Sequence, residues 1–316
     1  MVYLQNIFSK KMDLMKRKQW TISVACGALA YALTVSAESN LDFYGEYIYL
    51  KRNDIEKTTL VKNTTNQTSA LSNMRDFDFK SGYRVGVVYT ADCTNSLEFN
   101  YLHINPWRFN KSVSGNQNLL IPLKQNAASF PAVDLIEEKY RVAFCAGEAN
   151  YWYYLTSRAQ DYFSFATLFG FHYFRLEEKL KLLSITGVPK GIANPYFVNM
   201  RNEMFGLQLG CLLQSNPTDV TYWNIAAKAG GMANNLRLEK SLQGKKERVR
   251  AGFFTEASAQ VGWIPASWVK FYAGYQMVFL YGIGTAPEQI SQRRSCIHHD
   301  SKTIFQAVFG GMAFTF

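Results

Sequence analysis

Apolar and polar residues alternate with a period of two in segment after segment of this chain. In 80–90, Tyr83, Val85, Val87 and Tyr89 fall on one face, with Arg84 and Gly86 on the other. In 96–104, Leu97, Phe99 and Tyr101 oppose Glu98 and Asn100. Further on, Phe205, Leu207 and Leu209 oppose Gly206, Gln208 and Gly210, and Trp223, Ile225, Ala227 and Ala229 oppose Asn224, Lys228 and Gly230. Successive side chains of a strand point to opposite faces, so each segment predicts a strand with one apolar face and one face of glycine and polar residues. The same reading sets Tyr140, Val142 and Phe144 against Arg141 and Gly147, and Phe163, Phe165, Phe169, Phe171 and Tyr173 against Ser164, Gly170 and His172. Near the end, Phe253, Ala257, Val261 and Trp263 oppose Glu256, Ser258 and Gln260, while Phe271, Ala273, Tyr275 and Met277 oppose Lys270, Gly274 and Gln276.

With 41–51 at the front and 303–316 at the back, these segments predict about ten strands, within a range of roughly eight to fourteen. The connections alternate in length. Stretches 53–79, 105–139, 179–201, 234–248 and 283–302 read as long, whereas 91–95, 157–161, 215–219 and 264–267 read as short turns rich in Asn, Asp, Pro and Ser. An antiparallel up-and-down barrel with long outer loops and tight periplasmic turns produces that rhythm; a soluble β-sandwich does not. After residue 37 no apolar run reaches the roughly 18 residues that a spanning helix needs. Aromatic residues, 15% of the chain, therefore belong to a sheet. The expected fold is an all-β transmembrane barrel in the outer membrane, its apolar face against lipid.

The beginning of the chain carries a different signal. Met15-Lys16-Arg17-Lys18, the apolar stretch Trp20–Thr34 and Val35-Ser36-Ala37 have the anatomy of a secretory signal over 1–37, with 1–14 as an upstream extension and 38–316 as one barrel domain. Its removal takes Lys10, Lys11, Lys16, Arg17 and Lys18 away against Asp13, so the formal charge falls from +10 by 4 to +6. No basic run suggests nucleic acid. Cys93, Cys145, Cys211 and Cys296 lie far apart, with no Cys-x-x-Cys and no histidine at ligand spacing, so neither a metal nor another cofactor is expected; their pairing stays open.

Candidate chemistry is sparse. His298-His299-Asp300 beside Cys296 reads as a polar loop tip, since no flanking pattern matches a ligand or protease set, and no enzyme is expected. Asn63-Thr64-Thr65 and Asn66-Gln67-Thr68 read as ordinary loop sequence. Tyr151-Trp152-Tyr153-Tyr154, Trp263, Trp268 and Tyr281 lie near strand ends, where amphipathic rings suit the membrane interface. The inward-facing candidates are Arg84, Glu98, Arg141, His172, Lys228, Glu256 and Lys270. In an aqueous lumen these charges tune the passage of ions, and in a narrow barrel they pair and plug it.

The last segment, in which Val308, Gly310, Met312, Phe314 and Phe316 alternate up to a terminal Phe, resembles the signature by which the barrel-assembly machinery receives its clients. Three internal segments resemble planctomycete-type outer-membrane barrel proteins, a family compared with chlamydial-type major porins. They are Leu168–Glu178, similar to a Gly-Phe-Arg-Tyr-x-Arg-Leu-x-Glu strand with His172 where the family more usually has Arg; Asn202–Gly210; and Ala227–Asn235. Tyr272–Gln289, with Ala286-Pro287-Glu288-Gln289, is similar to the family's penultimate region. The resemblance covers roughly the second half of the chain and implies a porin-like barrel without catalytic residues. Two functions are thus expected: passive passage of small hydrophilic solutes, or a non-conducting barrel whose long loops act in adhesion or interaction. The expected partners are outer-membrane lipid and the barrel-assembly machinery, and the oligomeric state stays open.

Overall fold

Alternation over so many segments is realised as ten antiparallel strands closed on themselves. The computed structural model describes residues 39–54, 59–63, 69–72, 77–120, 133–156, 162–186, 191–192, 195–218, 220–241, 244–290 and 297–316. The expected signal segment 1–37, Cys296 and the Asn66 tripeptide lie outside them. The barrel strands are β1 (Asn40–Asp54), β2 (Lys80–Thr90), β3 (Asn95–Leu120), β4 (Val133–Tyr154), β5 (Phe163–Thr186), β6 (Tyr196–Thr218), β7 (Thr221–Lys240), β8 (Gly244–Ala266), β9 (Val269–Ile283) and β10 (Ser301–Thr315). Each pairs with its neighbours in sequence, and β1 pairs with β10 from Asp42↔Thr315 to Asp54↔Thr303. Closure gives each of the ten strands a partner on both sides and leaves no open edge among them, the condition for a sheet to cross hydrocarbon.

The strands are longer than the alternation suggested. Much of 105–139, 179–201 and 234–248, expected as loop, is strand, and β7 turns into β8 within a few residues at Gly244, whose φ is 71°. The reason lies in a switch of polarity along each strand. On β5 the outward residues run Phe163, Phe165, Phe169, Phe171 and Tyr173, then Arg175, Glu177, Lys179 and Lys181. The inward residues run Ser164, Gly170 and His172, then Phe174, Leu176, Leu180 and Leu182. Neither face changes side; the surroundings change. Below Tyr173 the outer face meets lipid and the inner face a polar lumen. Above it the outer face meets water and the barrel buries an apolar core, as a soluble protein does.

The switch falls at one level on neighbouring strands, since Cys145, Arg175, Glu203 and Asn235 are register partners in turn. Arg141 lies on β4 above that level, and this corrects its expected position. Tyr140, Val142 and Phe144 point inward and are buried, while Arg141 is exposed on the outer wall. The same parity divides the aromatic run: Tyr151 and Tyr153 face outward, whereas Trp152 and Tyr154 face the lumen.

Candidate functional site: the lumen and its closure

The periplasmic half of the lumen holds a cavity of about 430 Å³. Arg84, Glu98, Lys228, Glu256 and Lys270, five of the expected lumen residues, line it together with Asp42, Tyr44, Glu46 and Glu148. Lys228 Nζ lies 2.8 Å from Glu148 Oε2 and 3.1 Å from Glu256 Oε1, bridging β7 to both β4 and β8. Arg84 pairs with Glu46 at 2.9 Å and donates to Gln276 on β9. Lys270 pairs with Asp42 at 3.0 Å. Glu98 accepts from Tyr44 at 2.8 Å, Trp152 at 2.9 Å and Asn150 at 3.2 Å, all neutral donors.

Five carboxylates (Asp42, Glu46, Glu98, Glu148, Glu256) thus face three cations (Arg84, Lys228, Lys270), so the lining carries 5 − 3 = 2 excess negative charges. His172 is also inward, 2% exposed, with Nδ1 2.9 Å from Gln208 Oε1 and its ring stacked 3.8 Å from Phe174. It marks the boundary between the polar network and the apolar layer above.

Asp42, Glu46 and Glu148 escaped the sequence reading. On β1 a usable signal exists, because Phe43, Gly45, Tyr47 and Tyr49 already occupy the opposite face. On β4 the inverted faces put Glu148 on the lipid side.

Above the network the lumen is filled. One apolar cluster takes side chains from β1 (Ile48, Leu50), β3 (Trp107), β4 (Val142, Phe144), β5 (Leu176), β6 (Met200), β7 (Leu236), β8 (Phe254), β9 (Leu280) and β10 (Phe305). The chain leaving β9 enters this core: after Gly282, at φ 80°, residues 283–290 are all buried.

Polar side chains of three strands hold that segment. Asn202 on β6 accepts from Gly284 N–H and donates to Gly284 O, both at 2.8 Å. Asn234 on β7 donates to Gly282 O at 2.9 Å. Glu178 on β5 accepts from Ala286 N–H at 2.7 Å while paired with Arg52 of β1 at 2.7 Å, both side chains fully buried. At the outer end, burial pushes the Glu288 carboxyl up, but hydrogen bonds from His298 and Ser301 outweigh it and hold the group below its ordinary range. His299 pairs with its neighbour Asp300 at 2.6 Å. Burial, helped by Lys246, lowers the Lys240 ammonium to about 8, and it donates to Gln289 O at 2.5 Å.

The C-terminal residues seal the ring. Phe316 exchanges backbone hydrogen bonds with Leu41, Phe314 stacks on Trp268 with centroids 6.3 Å apart, and Met312 faces outward, 43% exposed. Among the described cysteines, Cys93, Cys145 and Cys211 are free.

A closed antiparallel barrel with an apolar outer belt and a charged lumen defines the class: this chain is an outer-membrane β-barrel, located in the outer membrane. The solved structure of the outer membrane protease OmpT from Escherichia coli is similar over 90% of this chain and 100% of its own, with a TM-score of 0.54 at 10% identity. The translocator domain of the autotransporter NalP from Neisseria meningitidis aligns over 96% of this chain and 97% of its own, at TM-score 0.41 and 7% identity. The attachment invasion locus protein Ail of Yersinia pestis aligns over 88% and 99%, at TM-score 0.30 and 8% identity. At these identities the likeness is one of fold. No family model matches the chain, and no curated protein matches it.

Proposed function

We propose that this protein is a non-conducting outer-membrane barrel that carries a rigid extracellular extension, and that it serves in surface display or interaction rather than in solute passage. The observation that supports this reading is the filled upper lumen. Phe144 on β4 stacks on Phe305 on β10 with ring centroids 4.7 Å apart, and these strands lie nearly opposite in the ring. Close packing of this kind leaves no row of water molecules for an ion to follow. The excess negative charge sits in a cavity that ends beneath that layer.

The test is conductance of refolded residues 38–316 in a planar bilayer, with a heat-modifiability gel to show that the barrel has formed. Folded protein without discrete steps is the expected result; stable steps at high occupancy would restore the passive channel.

A further inference from the structure

The outer wall of the extracellular extension is unevenly charged. On β7 and β8 each sign meets its opposite: Arg237 lies opposite Glu247, and Glu239 opposite Lys245. On β3, β4 and β5 like meets like. Arg108, Arg141 and Lys179 are register partners in turn across the three strands, and on the next rung Lys139 lies opposite Lys181. All five side chains are exposed. Three pairs of cations thus stand directly opposite on neighbouring strands, with about 4.5–5.5 Å between Cβ atoms, and that arrangement destabilises a sheet.

Carboxylates of the chain do not relieve it. Lys179 pairs with Glu177 at 3.0 Å, but that carboxylate also takes Arg175 at 3.0 Å. Arg108, Lys139, Arg141 and Lys181 pair with no carboxylate among the described residues. On these strands Glu177 lies one rung below the five cations and Glu137 one rung above, which leaves an excess of 5 − 2 = 3 positive charges.

The cations are braced from behind. Between them Trp107, Tyr140, Val142 and Leu180 point into the filled lumen, none more than 2% exposed. The result is a grid, with about 4.8 Å between strands and roughly 7 Å along them. Lys179 and Lys181 are six and eight residues beyond Tyr173, the last outward aromatic residue of β5. At about 3.3 Å per residue and a tilt near 40°, the grid stands roughly 15–20 Å above Tyr173, beyond the roughly 5–7 Å occupied by head groups.

A braced grid of unpaired cations suits a partner that supplies many anions at once, and guanidinium forks match planar sets of anionic oxygens. The other outward positions nearby, Asn110, Ser112 and Ala143, offer no ring on which a base could stack. Asn110 and Ser112 offer hydrogen bonds to sugar hydroxyls instead. Resting on the surface-interaction reading above, we propose that the outer wall of β3–β5 binds a sulfated polysaccharide, its sulfate groups held by Arg108, Arg141 and Lys179 on one rung and by Lys139 and Lys181 on the next.

The test uses residues 38–316 refolded in detergent, with the barrel verified on a heat-modifiability gel. A sulfated heparin oligosaccharide and its desulfated form are immobilised on a biosensor. The wild-type chain should bind the sulfated form at least tenfold more tightly. Arg108→Gln with Lys139→Gln and Arg141→Gln should remove that preference and, by relieving like-charge pairs, raise the urea midpoint. Arg201→Gln with Arg237→Gln and Lys245→Gln changes the net charge equally outside the grid and should alter binding less than threefold. Equal losses in the two triple variants would make net charge the cause and overturn the proposal. Equal binding of the desulfated form, or of single-stranded DNA of matched charge, would overturn it too, as would a lowered urea midpoint in the first triple variant, which would assign those cations to the fold. Conductance is read separately: lost glycan binding leaves the non-conducting barrel standing, and a conducting barrel that binds the sulfated form supports the grid while overturning that reading.

Discussion

Phe144 and Phe305 meet face to face at 4.7 Å and an interplanar angle of 24° across the lumen, although four steps of the strand ring separate β4 from β10. Above the charged network the barrel is therefore a solid body, and its stability there rests on core packing. Phe305 is 1% exposed and lies within the apolar cluster that fills the upper lumen. Phe305→Ala is expected to cost about 3–5 kcal/mol, and Phe305→Leu much less, because the first leaves a void in a close-packed layer. Urea unfolding in detergent, read on a heat-modifiability gel, measures the difference; equal midpoints for the two variants would contradict the packing assignment.

Asn202 mimics a strand partner for Gly284, donating and accepting at once. Asn202→Leu leaves a buried N–H and a buried carbonyl unpaired, each costing about 1–3 kcal/mol. The loss falls on the segment, not on the barrel wall. Hydrogen exchange at the Gly284 and Ala286 amides should accelerate by tenfold or more while that of β1 and β10 stays slow; uniform protection would mean that the segment needs no such latch.

The buried Arg52–Glu178 pair predicts a non-additive mutant cycle. Arg52→Met leaves the buried Glu178 carboxylate without its cation, at about 3–5 kcal/mol, and Arg52→Met with Glu178→Leu should recover part of that, since neither charge then remains to be desolvated although the Ala286 N–H and the Tyr140 hydroxyl lose their acceptor. Denaturant midpoints of the two single variants and the double variant give the coupling directly, and simple additivity would show that the pair is not a unit.

The periplasmic turn after β2 carries a pH signature. Asp92 accepts from the Thr94 side chain and amide at 2.7 Å and from the Asn95 amide at 2.7 Å, which lower its carboxyl from the ordinary 3.8 to about 2. A carboxyl whose pKa is lowered by folding stabilises the fold above its unfolded pKa, and that contribution is lost as pH falls through the folded value. The advantage of the wild type over Asp92→Ala should be constant above pH 4 and shrink between about pH 4 and 2. Unfolding midpoints across that window test it, with a pH-independent gap as the contrary result.

Much of this was legible from alternation. The faces of Arg84, Glu98, His172, Lys228, Glu256 and Lys270 followed from their apolar neighbours, because in the membrane-spanning zone lipid demands the apolar face. Arg141 was misplaced by the same rule, since period two separates two faces without naming the solvent on each. In Tyr140, Val142 and Phe144 an apolar inward face above the membrane reads identically to an apolar outward face within it. The long extracellular strands were hidden likewise, for their charged outer residues, such as Arg237, Glu239 and Lys179, look like loop composition.

The amino-acid order by itself determined the class of the molecule: the strand period and the aromatic-ended last strand are local properties that each segment displays alone. Only the tertiary structure decided which side chains fill the upper lumen. That depends on side chains that meet across the ring, such as Arg52 with Glu178 and Phe144 with Phe305, and on Gly284 docking against Asn202 from 82 residues away. Contacts between residues so distant in sequence arise from barrel closure, which sets the diameter and brings opposite walls within reach.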